Sequence, residues 1–138
     1  MIIEQLKRDE GFRGEPYQCT EGYLTIGYGR NLDTNPITKD EAEVLLTNDI
    51  NHTLARLIAV DLLPSTSIND LTPRQAVWVN MAFQLGVSGL LRFKKAISAY
   101  IREDYRTCAE EMLDSRWAVQ TPSRAQRLAD QMLTGEWQ

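Results

Sequence analysis

A chain of 138 residues, 43% of them hydrophobic, is long enough for one domain and apolar enough to bury a single core, which excludes a disordered chain and argues against several domains. Fifteen Lys and Arg against nineteen Asp and Glu leave a net charge of −4, so the electrostatic footprint of a nucleic-acid binder is missing. Cys19 and Cys108 lie far apart without a C-x-x-C pairing and His52 is the single histidine, which removes the usual zinc constellations. No apolar run approaches the roughly 20 residues of a membrane helix. The opening Met1-Ile2-Ile3 breaks at Glu4 instead of building a signal core, so the chain is expected in the cytosol until another agent releases it.

Ile2, Ile3 and Leu6 at helical spacing, followed by Gly11, predict a short helix closed by a left-handed glycine, with Glu10 at its exit. From Phe12 to Tyr28 the pattern changes to Tyr, Thr, Ile and Leu interrupted by Gly and Pro, and Cys19-Thr20-Glu21-Gly22 reads as the turn of a β-hairpin. Thr38-Lys39-Asp40-Glu41 is a capping box, and Ala42, Leu45, Leu46, Ile50, Leu54, Leu57 and Ile58 continue on one face. The result is a long helix over about 39–59 that links a β-lobe (about 12–37) to a helical lobe (about 60–138), to which the N-terminal helix is also assigned. Leu71-Thr72-Pro73 repeats the start signal, and Ala76 to Leu85 is apolar nearly all round, so this helix is expected at the buried centre with Met81 and Phe83 in the core. Shorter helices are expected at about 87–91, 94–103, 105–115 and 122–133, the last opened by Thr121-Pro122 and closed by Gly135. The fold class is α+β, a single two-lobed domain with a cleft expected where the lobes meet.

A carboxyl at a helix exit, facing a hairpin across a cleft, can be desolvated enough to stay protonated and act as a general acid. On composition alone, Glu10 would be read as an ordinary exposed glutamate. The spacing changes that reading: Glu10, Cys19 after eight intervening residues, and Thr25 after five more, inside Glu21-Gly22-Tyr23-Leu24-Thr25-Ile26-Gly27-Tyr28-Gly29. This resembles the phage T4 type of lysozyme, whose signature is Glu, then Asp or Cys, then Thr at those spacings. Thr38-Lys39-Asp40-Glu41-Ala42-Glu43, Asn80-Met81-Ala82-Phe83-Gln84-Leu85-Gly86, Ser115-Arg116-Trp117 and Gln120-Thr121-Pro122-Ser123-Arg124-Ala125 resemble that family's later segments in the same order.

The resemblance implies a lysozyme-like fold and an endolysin, a muramidase that cleaves the β-1,4 bond between N-acetylmuramic acid and N-acetylglucosamine. Its partner is bacterial peptidoglycan, with no cofactor, no metal, no nucleic acid and no stable membrane insertion. A monomer is expected, held in the host cytoplasm until a holin or another route delivers it to the periplasm or cell wall. Relative to the best-known member, the chain between Gly29 and the capping box is short, so part of the β-lobe should be trimmed. The net charge of −4 also departs from that member's basic character, and a polyanionic wall should exert little long-range attraction.

By resemblance Glu10 is the general acid. Cys19 stands where the water-activating carboxylate is usual, and Thr25 is suited to hold the water. A thiol, with an ordinary pKa of about 8.5, is a minority thiolate at neutral pH but a strong base in that form. Attack by the thiol on the anomeric carbon is the lower-ranked alternative. Arg124, in the first turn of the last long helix, is placed by the resemblance across the cleft from Glu10, where an ion pair would lower the carboxyl's pKa and oppose the acid role. Asn80 and Gln84 form an i, i+4 polar pair on an apolar helix, and bridging of chain ends and binding of sugar amides and hydroxyls are both open to them. The resemblance favours the sugar. Glu21, in the hairpin turn, is a further substrate-binding candidate beside the reading as a solvated turn residue.

Arg30 stands where the family often carries histidine, and Asp49 is its expected carboxylate partner. Cys108, near Ala109 and Met112, reads as a small core residue. His52 lacks an orienting motif for thiol protease chemistry, and Gly27-Tyr28-Gly29 is no dinucleotide motif because Leu32 replaces the last glycine. Two other classes compete with the enzyme: a non-catalytic peptidoglycan-binding protein and an inert scaffold of the same fold.

Overall fold

Helix α1 (Ile2–Glu10) stops at Gly11 in the computed structural model, which describes residues 1–138. Gly11 has φ 69° with ψ 156°, so its φ is positive but its ψ is extended; the left-handed helical cap expected from the sequence is not formed. The extended ψ sends the chain directly into strand β1 (Arg13–Gln18), which pairs antiparallel with β2 (Leu24–Gly27). Register slips between Arg13 and Tyr17, where Pro16 supplies no N–H to the ladder. Cys19 to Tyr23 forms the expected hairpin turn, closed by Gly22 N–H donating to the Cys19 carbonyl at 2.8 Å. A third strand of two residues, β3 (Arg30–Asn31), adds antiparallel to β2 and completes the sheet order β1-β2-β3.

The long helix α2 (Lys39–Ala59) begins at the predicted capping box: Thr38 Oγ1 accepts from Glu41 N–H at 3.1 Å, and Glu41 Oε1 accepts from Thr38 N–H at 2.9 Å. Its apolar face is buried unevenly, since Leu54 and Leu57 are buried while Leu45 and Leu46 are exposed. The chain divides into two compact units, Met1–Leu45 and Leu46–Gln138, and α2 runs through the division.

Within the first unit Thr25 is the only buried residue, so cohesion there rests on hydrogen bonds. Arg30 carries much of it: Nη2 meets Glu41 Oε2 at 2.6 Å and Nη1 meets Glu41 Oε1 at 3.1 Å, a forked ion pair between β3 and the start of α2. The expected partner, Asp49, is therefore displaced. Glu41 wins because it sits in the first turn, already oriented by the cap, whereas Asp49 lies two turns further along the helix.

The second unit holds the core. A 3₁₀ turn (Ile68–Asp70) precedes α3 (Pro73–Leu90), which starts at a Thr72–Gln75 capping box and breaks at Gly86 (φ 77°, ψ 158°), so the helix expected at 87–91 is the tail of α3. Helices α4 (Lys94–Ile101), α5 (Tyr105–Leu113), α6 (Arg116–Gln120) and α7 (Pro122–Thr134) follow, and α7 ends at the left-handed Gly135 as predicted. Helix α6 was not foreseen; Ser115 opens it by accepting from Ala118 N–H at 3.1 Å. Leu57, Val77, Trp78, Met81, Leu90, Cys108, Met112 and Met132 are wholly enclosed, which agrees with the reading of Met81 and Cys108 as core. Trp78 packs edge-on against Tyr100 at 5.3 Å, yet its Nε1 has no acceptor in the protein.

Phe83 is not core: it is 45% exposed. The buried stripe of α3 runs through Val77, Trp78, Met81 and Ala82, and Phe83 lies on the opposite face with Asn80 and Gln84. The architecture is α+β, a small antiparallel sheet followed by a long helix and a helical unit, and no helix is long and apolar enough to cross a membrane.

The Arg30 fork and the cap hold the Glu41 carboxyl at about 2, below its ordinary 4.5. A depressed carboxyl contributes stability that is complete above the ordinary value and is lost as pH falls through the folded one. Thermal melts of the protein and of Glu41→Gln should thus differ most at neutral pH, and the difference should close between pH 4.5 and about 2. A gap that stayed constant over that range would remove the pair from the acid response.

Candidate active site

Helix α1 delivers Glu10 as its last residue, and the β2–β3 turn rises to meet it. Gly29 in that turn has φ 73°, and a Cβ built there would lie 2.6 Å from Glu10 Oε2 and 3.0 Å from Glu10 Cδ. Only a glycine permits this approach, both for its backbone angle and for its missing side chain. The Phe12 and Tyr28 rings, tilted at 51° with centroids 5.5 Å apart, fasten the same two segments beside the carboxylate. Glu10 is exposed within the turn it leans on.

Cys19 and Thr25 are brought together by the hairpin. Register places Tyr17 opposite Thr25 and Gln18 opposite Leu24, and the Cys19 N–H donates to the Tyr23 carbonyl at 2.9 Å. The half-buried thiol has its pKa lowered, chiefly by the backbone N–H of Glu21 and then by that of Tyr23, with a smaller contribution from the Thr25 hydroxyl. Desolvation and the Glu21 charge push the other way and do not prevail. Thr25 is 4% exposed, and its hydroxyl donates to the Tyr23 carbonyl at 2.9 Å. A hydroxyl has one proton and two lone pairs, so it favours the thiolate when that proton turns to the sulfur, and while bonded to Tyr23 it can accept from a water. Glu21 is exposed at the turn, and its backbone N–H is what reaches Cys19.

Asn80, Gln84 and Arg124 belong to the second unit and are tied to each other's neighbourhood there. Asn80 Oδ1 accepts from Arg124 Nη2 at 2.7 Å and Nε at 3.0 Å, and its backbone carbonyl accepts from Nη2 at 3.2 Å. Gln84 Oε1 accepts from Trp117 Nε1 at 2.9 Å, linking α3 to α6. Both side-chain carbonyls thus serve the helical unit. The two NH2 groups, on exposed residues, have no acceptor in the protein and are oriented by the bonds their carbonyls make.

Three contributors escaped the sequence reading. Gly29 was visible as the end of the Glu21–Gly29 run and in a failed dinucleotide pattern, but not as the residue that meets Glu10, although the pair of glycines around Tyr28 was a signal for close approach. Trp117 holds Gln84 from 33 positions away, beyond any local pattern. Phe83, expected in the core, supplies an exposed ring beside Asn80 and Gln84.

Glu10 thus leans on a glycine turn, and the hairpin that follows it holds a half-buried thiol of lowered pKa beside a buried hydroxyl. The family description "Phage lysozyme" matches residues 7–131, and the chain belongs to the phage lysozyme family. It is 31% identical to "Probable T4-type lysozyme 1" of Dictyostelium discoideum, over 97% of this chain and 94% of that protein. Similarity to "Probable T4-type lysozyme 2" of the same organism is 30% over equal shares. The "Pre-baseplate central spike protein Gp5" of Enterobacteria phage T4 is 31% identical over 97% of this chain, which corresponds to 28% of that longer protein.

Gly29→Ala should force the Glu10 carboxylate aside and lower stability, and Glu10→Ala should relieve part of that loss, because the clash needs both groups. A double-mutant cycle by denaturant melts measures the coupling; strict additivity would show that backbone strain alone is responsible.

The thiols should also separate. Burial pushes the Cys108 thiol up to about 12, whereas the Cys19 thiol is lowered and half-buried. Iodoacetamide at neutral pH should therefore label Cys19 alone, as read by peptide mass mapping.

Proposed function

We propose that the chain is a muramidase of the endolysin type, acting as one lysozyme-like domain on the β-1,4 bond between N-acetylmuramic acid and N-acetylglucosamine in peptidoglycan. The observation that carries this reading is the placement of Glu10 against Gly29, followed by a hairpin that holds Cys19 and Thr25 together, in a chain of the phage lysozyme family.

In this mechanism Glu10 gives its proton to the leaving glycosidic oxygen as the anomeric carbon–oxygen bond breaks. A water held by Thr25 Oγ1 attacks the opposite face of the sugar and yields its proton to the Cys19 thiolate. The bond order at the anomeric carbon is restored with inversion, Glu10 is left as carboxylate and Cys19 as thiol, and exchange with solvent resets both. The amide NH2 groups of Asn80 and Gln84, the free edge of Arg124 and the Glu21 side chain are assigned to the saccharide, whose N-acetyl and hydroxyl groups accept and donate such bonds. The protein would work as a monomer without a cofactor, stored in the host cytoplasm and reaching the periplasm or cell wall through a holin or an equivalent route.

Glu10→Gln should lower the rate of lysis of a Gram-negative cell-wall suspension by roughly 100-fold or more, the usual loss when a general acid is removed. Circular dichroism should confirm that this variant stays folded. A Gln variant as lytic as its parent would sink the acid assignment, and retention in the first product, read by anomer analysis, would make Cys19 the nucleophile.

A further inference from the structure

The helical unit contains a cavity of about 750 Å³ between α3, α4 and α6 that the reaction above leaves unused. Six charged side chains line it: Arg92, Lys94, Lys95 and Arg116, opposed by Glu111 and Asp114. None of the six takes part in a salt bridge; the protein's three ion pairs all lie in the first unit. A chain with net charge −4 has thus gathered four of its fifteen cations around one concavity and left them unpaired. Four positive and two negative groups leave the pocket an excess of two positive charges.

That excess selects a ligand class. A phosphomonoester carries roughly −1.5 to −2 charge at neutral pH and three acceptor oxygens, which matches two units of positive charge. One carboxylate would leave half the excess unbalanced, and a neutral sugar would have no use for it. The two guanidinium groups present planar forks that suit oxyanions, and the two ammonium groups add mobile point charges. Lys94 and Lys95 stand in the first turn of α4, whose N-cap Phe93 offers no side-chain acceptor, so the helix end adds to the same field.

The volume exceeds what a phosphate needs. Phe93 and Trp117, edge to face at 6.0 Å, form an aromatic part of the wall against which the carrier of the phosphate can lie. We propose that this pocket is a binding site for a phosphomonoester group, with room for a sugar as its carrier. The site is separate from Glu10, Cys19 and Thr25, and it is tested by binding and not by lysis, so its fate does not follow that of the muramidase reading.

Calorimetry and amide chemical-shift mapping at low salt, with N-acetylglucosamine 6-phosphate, inorganic phosphate and N-acetylglucosamine as probes, provide the test. Both phosphates should bind and shift amides of residues 92–96 and 111–117, and N-acetylglucosamine should not. Tighter binding of the sugar phosphate would identify a sugar as the carrier, and equal binding would identify free phosphate. The double substitution Lys94→Glu with Lys95→Glu, on exposed positions, should weaken binding by roughly tenfold or more, since each hydrogen bond to a charged group is worth at least that factor. Absence of phosphate-dependent shifts in the native protein, or unchanged affinity in the charge-reversed variant with its circular dichroism intact, would overturn the proposal.

Discussion

The first unit has almost no interior, and the forked contact between Arg30 and Glu41 carries the burden that a core would carry elsewhere. One carboxylate does two things there. It completes the cap that starts α2, and it receives the guanidinium of β3. The strand is only two residues long, too short to hold its place by ladder hydrogen bonds alone. Position in the sheet then passes to the β2–β3 turn, which brings Gly29 under Glu10. The placement of Glu10 depends on a surface contact between β3 and α2, in a part of the protein where solvent competes for every hydrogen bond.

The second unit is constructed on the opposite principle. Its helices enclose a continuous apolar cluster from Leu54 to Met132, and on the exposed side of α3 Asn80 and Gln84 are each bonded across to another helix. Asn80 and Gln84 show what such a bond leaves over. Each surrenders its carbonyl to a neighbour on α7 or α6, so the remaining amide has a fixed direction and needs little ordering when a ligand arrives. Of the two readings open to these residues, bridging is the one their hydrogen bonds display, and it leaves each NH2 group free of a partner in the protein.

Much of this was legible in the sequence wherever a local rule had a strong physical cause. The capping box at Thr38, the Thr72-Pro73 start, the hairpin turn at Cys19 and the left-handed Gly135 were all visible as short-range chemistry. Helix α6, with five residues, and β3, with two, were invisible because neither is long enough to display a period. Phe83 was misplaced for a different reason. A helix apolar nearly all round hides which face turns inward, and only the packing partners decide it. Glu10, Cys19 and Thr25 were legible through family spacing, whereas the bonds of Asn80, Gln84 and Arg124 span 33 to 44 positions, and no local pattern encodes the partner of Gln84 or of Arg124. Arg30 shows the converse: a partner assigned by analogy gave way to one already oriented by a helix cap.

The three tryptophans have a consequence for how the molecule can be observed. All lie in the second unit, and each occupies a different medium: Trp78 is sealed in the core with an idle N–H, Trp117 is buried but bonded to Gln84, and Trp137 is 63% exposed. The first unit has tyrosines and no indole at all. Indole emission consequently arises from the second unit alone. An event that loosens the Gln84 bond alters one emitter while the sealed one serves as an internal standard, so light from this protein distinguishes a disturbed junction between α3 and α6 from a melted core.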